Sequence, residues 1–383
     1  MTLTRLVTRN AFRNRRRSIL TVLSISFSLL LLTIMMSLWC SFYIDQGTAE
    51  SAKRLITRHR VSLVFSLPAH YREKIRALPG VVHVVPMTWF GGIYKDQRPE
   101  NFFAQFGTDP AELLDVVKDI QLPPDQLGSW QRDRTGVIVD SELAKKHGWK
   151  VGDRIVLKGT IFPMNLELTV RGIFTSPRPT NSLYFNYAYV EEAVPEAKGQ
   201  VGFLNTRVDS PEAVARVSRA IDDLFRNSPQ PTKTESVKAF QLSFVAMLGN
   251  VKAFILSICL AVVFTILLVS ANTMAMSIRE RTREVALLKT LGFPRQTILA
   301  LCVAEGVALS LVGGLLGVLG ASAMIRALTN SPVGIGVATG LSVAPATLVV
   351  ALLVAASVGF LSTVVPSYHA SRGNIVEGLR HIG

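Results

Sequence analysis

Four long apolar runs bracket a stretch of quite different texture. Ser18 to Tyr43 is almost wholly apolar, and so are the run that begins near Val251, the run from Gln296 to Leu328 and the run from Val343 to Pro366. As helices rising about 1.5 Å per residue, each is long enough to cross a hydrocarbon core of about 30 Å. The run from Gln296 exceeds that need and has room to tilt or break. Between the first and second runs, from about Ile44 to Asn250, no window spans a bilayer. Prolines, charges and short alternations take over there, and they predict a folded aqueous domain large enough for its own core.

Inside that domain, Val61 to Ser66 reads as a strand and Pro68 to Leu78 as a helix with Tyr71, Ile75 and Leu78 on one face. After the punctuation of Pro79-Gly80, Val81 to Pro86 reads as a second strand. A similar unit closes the domain: strand Phe203 to Val208, then a helix opened by Ser210 and Pro211 with the stripe Val214, Val217, Ile221, Leu224 and Phe225. The two units are expected to pack together. Between them, Asp140 to His147 predicts a short helix stopped by Gly148, and Val151 to Thr175 predicts strands joined at Gly159 and Pro163.

Charge orients the scheme. Arg5, Arg9, Arg13, Arg15, Arg16 and Arg17 precede the first run with no acid among them. Arginines beside a span favour the cytoplasmic side, and Arg372 and Arg380 place the tail there too. The first run is too long for a signal-peptide core and lacks a small-x-small cleavage site, so it reads as a retained span. The expected organisation is a basic arm and first helix over 1–43, an external domain over 44–250, and three helices with a cytoplasmic tail over 251–383. Both termini are then cytoplasmic in a multi-pass membrane protein. A formal charge of +14 raises the question of nucleic acid. The basic residues cluster beside apolar runs, however, so membrane lipid is the expected partner and nucleic acid is not.

Reactive chemistry is missing from the sequence. Cys40, Cys259 and Cys302 lie in or at the ends of apolar runs, with neither zinc spacing nor a disulfide framework. The six histidines are scattered, no H-E-x-x-H occurs, and no G-x-x-x-x-G-K-[ST] phosphate loop is present. The expectation is a chain with no catalytic residue, no metal ligand and no cofactor of its own.

The stretch from Asn272 to Pro294 links the second and third runs. Glu280, Glu284, Leu287, Leu288 and Leu291 recur at helical spacing, Arg279, Arg281 and Arg283 fall on other faces, and Gly292 with Pro294 marks the stop. By pattern alone this is as much a basic helix resting on anionic headgroups as a docking element. Its order, R-E-R-T-R-E-V-A-L-L-K-T-L-G-F, resembles the coupling helix of the MacB/FtsX family of ABC transporter permeases. The opening A-F-R-N-R-R-R-S-I-L-T-V-L-S-I resembles that family's start. S-E-L-A-K-K-H-G-W-K-V-G-D-R-I-V-L is similar to the strand-rich part of the MacB-type external domain. The closing P-S-Y-H-A-S-R-G-N-I-V-E-G-L-R resembles the family's last helix, with Ile375 where proline is usual and Gly378 where alanine is usual.

The resemblance implies four transmembrane helices plus an α+β extracytoplasmic domain with porter-like and strand-rich subdomains. It implies a non-catalytic permease subunit paired with a second copy or a paralogue and served by a separate ATPase dimer that binds ATP and Mg. A periplasmic adaptor or carrier belongs to the same picture. Cargo classes are lipids, lipoproteins, peptides and hydrophobic drugs; the alternative is an FtsX-like signalling subunit that regulates an external cell-wall hydrolase. The coupling helix falls on 279–292, with Arg279, Glu280, Arg283, Glu284, Leu287, Leu288 and Gly292 forming the docking surface.

Within the spans, Gly306, Ser310, Gly313, Gly314, Gly317 and Gly320 set small residues three and four apart, a pattern that admits a second helix at close range. Glu305 lies well inside the third run and is expected to face a partner or water rather than lipid. Asn272 is expected to cap or bridge helices near the inner end of the second span.

Overall fold

A computed structural model describes residues 15–45, 47–247, 249–330 and 343–372, which form two compact units that part at Ile44/Asp45 and at Gly249/Asn250. The last part of the closing motif, including Ile375, Gly378 and Arg380, lies outside the described residues, as do Arg5, Arg9 and Arg13.

Among the described residues the first unit holds four helices long and apolar enough to cross a membrane: Arg15–Ile44, Val251–Glu280, Arg295–Leu328 and Pro345–His369. They are called the first to fourth spans below. Ile25, Leu29 and Leu32 of the first span, Ile266 of the second, and Ala355 and Val358 of the fourth form one apolar core. Ser270 and Ser362 join the second span to the fourth through a 2.9 Å hydrogen bond between hydroxyls.

The glycines of the third span are the points of closest approach. A Cβ on Gly317 would lie 2.6 Å from the Ser26 carbonyl oxygen and 3.0 Å from the Leu30 amide nitrogen, so only glycine admits the first span there. Gly313 meets Ile25 and Gly320 meets Leu30 of the same span, while Gly314 meets Ala355 of the fourth. Gly306 and Gly359 face each other between the third and fourth spans. The small-residue stripe is therefore occupied within one chain.

The second unit is built on strands β1 (Arg54–His59), β2 (Leu67–Pro68), β3 (Val81–Trp89), β4 (Ala104–Thr108), β5 (Gly136–Asp140), β6 (Arg154–Lys158), β7 (Asn165–Phe174), β8 (Ser182–Asn186), β9 (Gln200–Val201), β10 (Phe203–Val208) and β11 (Thr232–Ser236). Nine of them make one sheet in the order β11-β1-β10-β3-β4-β8-β5-β7-β6, and β2 pairs with β9. The first four positions, with helices Tyr71–Arg76 and Val214–Leu224, are two strand-helix-strand units interleaved in an antiparallel sheet, the ferredoxin-like arrangement. The other five strands mix parallel and antiparallel pairs.

Period-two alternation divides the core between the faces of this sheet. Leu55, Val84 and Leu204 pack under the two helices with Tyr71, Ile75, Val217, Ile221 and Phe225. Their neighbours Ile56, Val85 and Phe203 face the other way, onto Leu113, Val116 and Trp130. Within the closing helix Ser210 accepts a hydrogen bond from the Ala213 amide, as the sequence predicts of a cap, but Leu224 is exposed. Short helices Leu113–Val116 and Pro124–Arg132 carry no legible apolar period and emerge only here.

The opening of the domain departs from expectation: the helix expected over Pro68 to Leu78 is Tyr71–Arg76, with Pro68 in β2. The first strand is Arg54–His59, and Val61 to Ser66 forms an exposed loop in which Val64 is 91% accessible. The true strand is polar because its side chains are satisfied across the ladder. Thr57 bonds Thr234 at 3.0 Å, and Arg58 pairs with Glu235 at 3.0 Å. Buried polar groups with partners suit a strand better than an apolar run with none.

The strand-rich half has its own core around Phe90, Phe103, Leu143, Trp149, Leu166 and Leu183. Asp140 caps the helix Ser141–His147 by accepting from the Glu142 amide, and Gly148 ends it at φ 72°. His147 stacks on Trp149 with ring centroids 4.7 Å apart, and burial, aided by the charges of Lys146 and Lys95, pushes its pKa down to about 4. The folded chain holds this proton more weakly than the unfolded chain. Between pH 6.5 and about 4 the unfolded state binds more protons, so stability falls as pH drops through that window. Replacing His147 with Phe should flatten this part of the stability-against-pH curve, measured by thermal melts from pH 7 to pH 4; an unchanged slope would remove His147 as its source.

Candidate functional site

The link between the second and third spans is a helix, a one-residue break and a second helix. The second span ends at Glu280, Arg281 takes φ −102° and ψ 14°, and Thr282–Thr290 forms a separate short helix. Arg281 serves both helices. Its amide donates to the Ile278 carbonyl at 3.1 Å, and its carbonyl accepts from the Val285 amide at 3.0 Å. The short helix ends in a Schellman motif: Phe293 N–H donates to Leu288 O and Gly292 N–H to Lys289 O, each at 3.1 Å, with Gly292 at φ 86°. Pro294 then precedes the third span.

Val285 and Ala286 are buried and anchor the short helix to the bundle. Leu288 and Glu284 line a small cleft with Met274, Ile278, Arg281 and Glu305. Facing away are Leu287, Leu291 and Phe293, at 49%, 71% and 46% exposure. An apolar tip on a polar end of the bundle is the notable surface here. Burial, followed by the charge of Arg295, lowers the Lys289 pKa below the ordinary lysine range.

The site residues singled out in the sequence are thus distributed over several surfaces. Arg279 is exposed; Glu280, also exposed, is tied back to Arg17 of the first span by an ion pair. The Arg283 side chain lies outside the described ones, and Glu284 is half-buried in the cleft. Leu287 and Gly292 are outward, Leu288 is inward. The outward face is drawn by leucines and Phe293 more than by the charges, and Leu291 and Phe293 are the residues that reading by charge passes over. Glu305 is buried and faces Arg281, with Nη1 2.5 Å from Oε2. Asn272 is exposed on the second span. Gly313, Gly314, Gly317 and Gly320 are all at contacts between spans. Among the described residues no cluster of three or more His, Cys, Asp or Glu is placed to hold a metal.

Four candidate spans among the described residues, a mixed-sheet domain and a short helix closing one end of the bundle have the make-up of a multi-pass membrane protein. Comparison with known proteins makes the assignment specific. The MacB-like periplasmic core domain matches residues 18–224, more than half of the chain, and the FtsX-like permease C-terminal domain matches 253–375. The chain belongs to the MacB/FtsX family of ABC transporter permeases. It is 26% identical over 323 residues to an uncharacterized ABC transporter permease of Methanocaldococcus jannaschii, covering 81% of this chain and 80% of that one. It is 24% identical over 300 residues to the lipoprotein-releasing system transmembrane protein LolC of Haemophilus influenzae, covering 72% and 70%. Among solved structures, the periplasmic region of MacB from Actinobacillus actinomycetemcomitans aligns at TM-score 0.36 and 13% identity, covering 52% of this chain and 93% of that one.

Proposed function

We propose that this permease couples ATP hydrolysis on a separate ATPase dimer to movement of its extracytoplasmic domain, and that the helix Thr282–Thr290 is where the ATPase docks. The observation that carries this reading is the apolar tip of Leu287, Leu291 and Phe293, held out by buried Val285 and Ala286 on an otherwise charged link. Apolar residues projecting from a well-anchored element are the usual centre of a binding hot spot, while rim charges such as Arg279 add steering. A helix resting on lipid headgroups would tolerate added charge at its rim, and a docked helix would not.

In this reading the chain carries no catalytic residue, and ATP and Mg belong to the partner. Two permease copies, or this chain with a paralogue, stand in the bacterial inner membrane with both termini cytoplasmic. The name of one relative, a lipoprotein-releasing transmembrane protein, supports export or extraction of a lipoprotein; a lipid, peptide or hydrophobic drug completes the range of cargo in this reading, with a periplasmic adaptor or carrier as a further partner. The exposed Val61–Phe65 loop suits docking of an external protein, and so keeps the FtsX-like signalling reading in view.

Leu291→Asp should lower co-purification of a co-expressed ATPase subunit by at least ~10-fold, the loss of one good apolar anchor. Membrane insertion and melting temperature should stay at wild-type values, since Leu291 is 71% exposed. Undiminished capture would overturn the docking surface. Crosslinking of the external domain during turnover separates the two outputs: recovery of a cell-wall hydrolase or its activator alone, without cargo or carrier, would replace transport by signalling.

A further inference from the structure

A one-residue break between two helices is ordinarily a place where movement is absorbed, because the few residues of a hinge take up the change in φ and ψ. If the short helix tilted about Arg281 freely, its movement would reach the spans only through the apolar contacts of Val285 and Ala286 and the link 291–294. The side chains at this break oppose that freedom. Arg281 supplies the backbone of the break, and its guanidinium reaches the third span, where Nη1 lies 2.5 Å from Glu305 Oε2. One residue earlier, Glu280 is paired with Arg17 of the first span, whose Nη2 also donates to Ser277 Oγ at 2.8 Å.

The two pairs are not equal. Glu280 has a side-chain exposure of 53%, so its pair is open to screening, whereas Arg281 and Glu305 are at 16% and 11% among apolar neighbours. A charge in that setting is held in place by its partner, since separation would strand it in a poorly solvating cleft. Glu284 lines the same cleft. It is on the short helix itself, however, so a contact there would not hold the break to another span.

We propose that Arg281 is a positioning residue: pinned by Glu305, it converts tilt of the 282–290 helix into displacement of the third span. This rests on the reading that the short helix receives the driving movement. The third span suits the receiving role because it meets the first span at Gly317 and the fourth at Gly314 and Gly306 with no side chain to compress.

The test uses the full chain in lipid nanodiscs, with Cys40, Cys259 and Cys302 replaced by Ser and spin labels on Leu291→Cys and Leu315→Cys, both exposed positions on the short helix and the third span. The label-to-label distance distribution should be narrow with Arg281 and Glu305 in place. Glu305→Gln should at least roughly double its width, because the guanidinium loses its charged partner on the third span. Arg281→Glu combined with Glu305→Arg should narrow it again. If Glu305→Gln does not fold, Arg281→Gln interrogates the same pair from the other side. An unchanged width overturns the proposal, and so does a lower melting temperature with unchanged width, which would mark a merely structural pair. No ATPase is present in this measurement, so its outcome is independent of whether the docking surface is assigned correctly.

Discussion

Leucine at position 317 should remove most of the folded protein from a detergent extract. The Cβ it introduces would lie 2.6 Å from the Ser26 carbonyl oxygen and 3.0 Å from the Leu30 amide nitrogen, and neither is a flexible side-chain end. Overpacking costs ~1–3 kcal/mol where neighbours can shift, and more where they are main chain. Here the first and third spans would have to separate along their contact. Fluorescence-detected size exclusion should show loss of the main peak, and surviving material should melt well below wild type. Gly320→Ala is the control, because its nearest neighbour is the Leu30 Cδ1 atom at 3.0 Å, which can turn aside. Wild-type behaviour of Gly317→Leu would mean that the two spans do not touch there. Because the stripe is filled within the chain, the damage is expected in the single subunit, before any question of pairing between copies.

Trp130→Ala should be the most damaging single truncation in the aqueous unit, at about 3–5 kcal/mol. The indole is fully buried, and its Nε1 donates to the Gly136 carbonyl at 3.2 Å. It packs in a cluster that draws Ile56, Val85 and Met87 from the ferredoxin-like half and Ile138, Phe174 and Tyr184 from the strand-rich half. A cavity there would loosen the seam between the halves as well as lose contact area. The loss is a large part of a typical domain stability of ~5–15 kcal/mol. Denaturant unfolding should show a lower midpoint, and protease should cut near the seam earlier than in wild type. A midpoint within error of wild type would deny the cluster its structural weight.

The spans and the coupling link were legible because each is governed by one local variable, continuous hydrophobicity in the first case and a helix period with a glycine stop in the second. The closing unit of the domain was equally plain, since Phe203, Leu204 and Val208 bound a short strand and Ser210-Pro211 is an explicit start signal. β1 was hidden because its identity as a strand depends on residues far along the chain: Thr57 and Arg58 are acceptable inside because Thr234 lies opposite Thr57 and Glu235 reaches Arg58 diagonally across the same ladder. The apolar run after it was misleading for the complementary reason that its side chains stay exposed, Val64 most of all. Glu305 was readable as a carboxylate needing company, but not that its company is Arg281, which a helical wheel places among the outward arginines. That the glycine stripe serves contacts inside the subunit was likewise beyond the sequence, which shows only that something comes close.

The pairing of β1 with β11 has a mechanical consequence. Leu55 is opposite Ser236, so the chain enters β1 from the first span and leaves β11 toward the second at the same end of the same ladder. β1 is also flanked on its other side by β10, with Arg54 opposite Arg207 through Arg58 opposite Phe203. Tension drawn along β1 therefore acts as shear on two ladders at once, and their hydrogen bonds share the load in parallel instead of parting one after another. A strand hung between two neighbours in this way works as a tie rod, able to carry a pull into the sheet without peeling away from it.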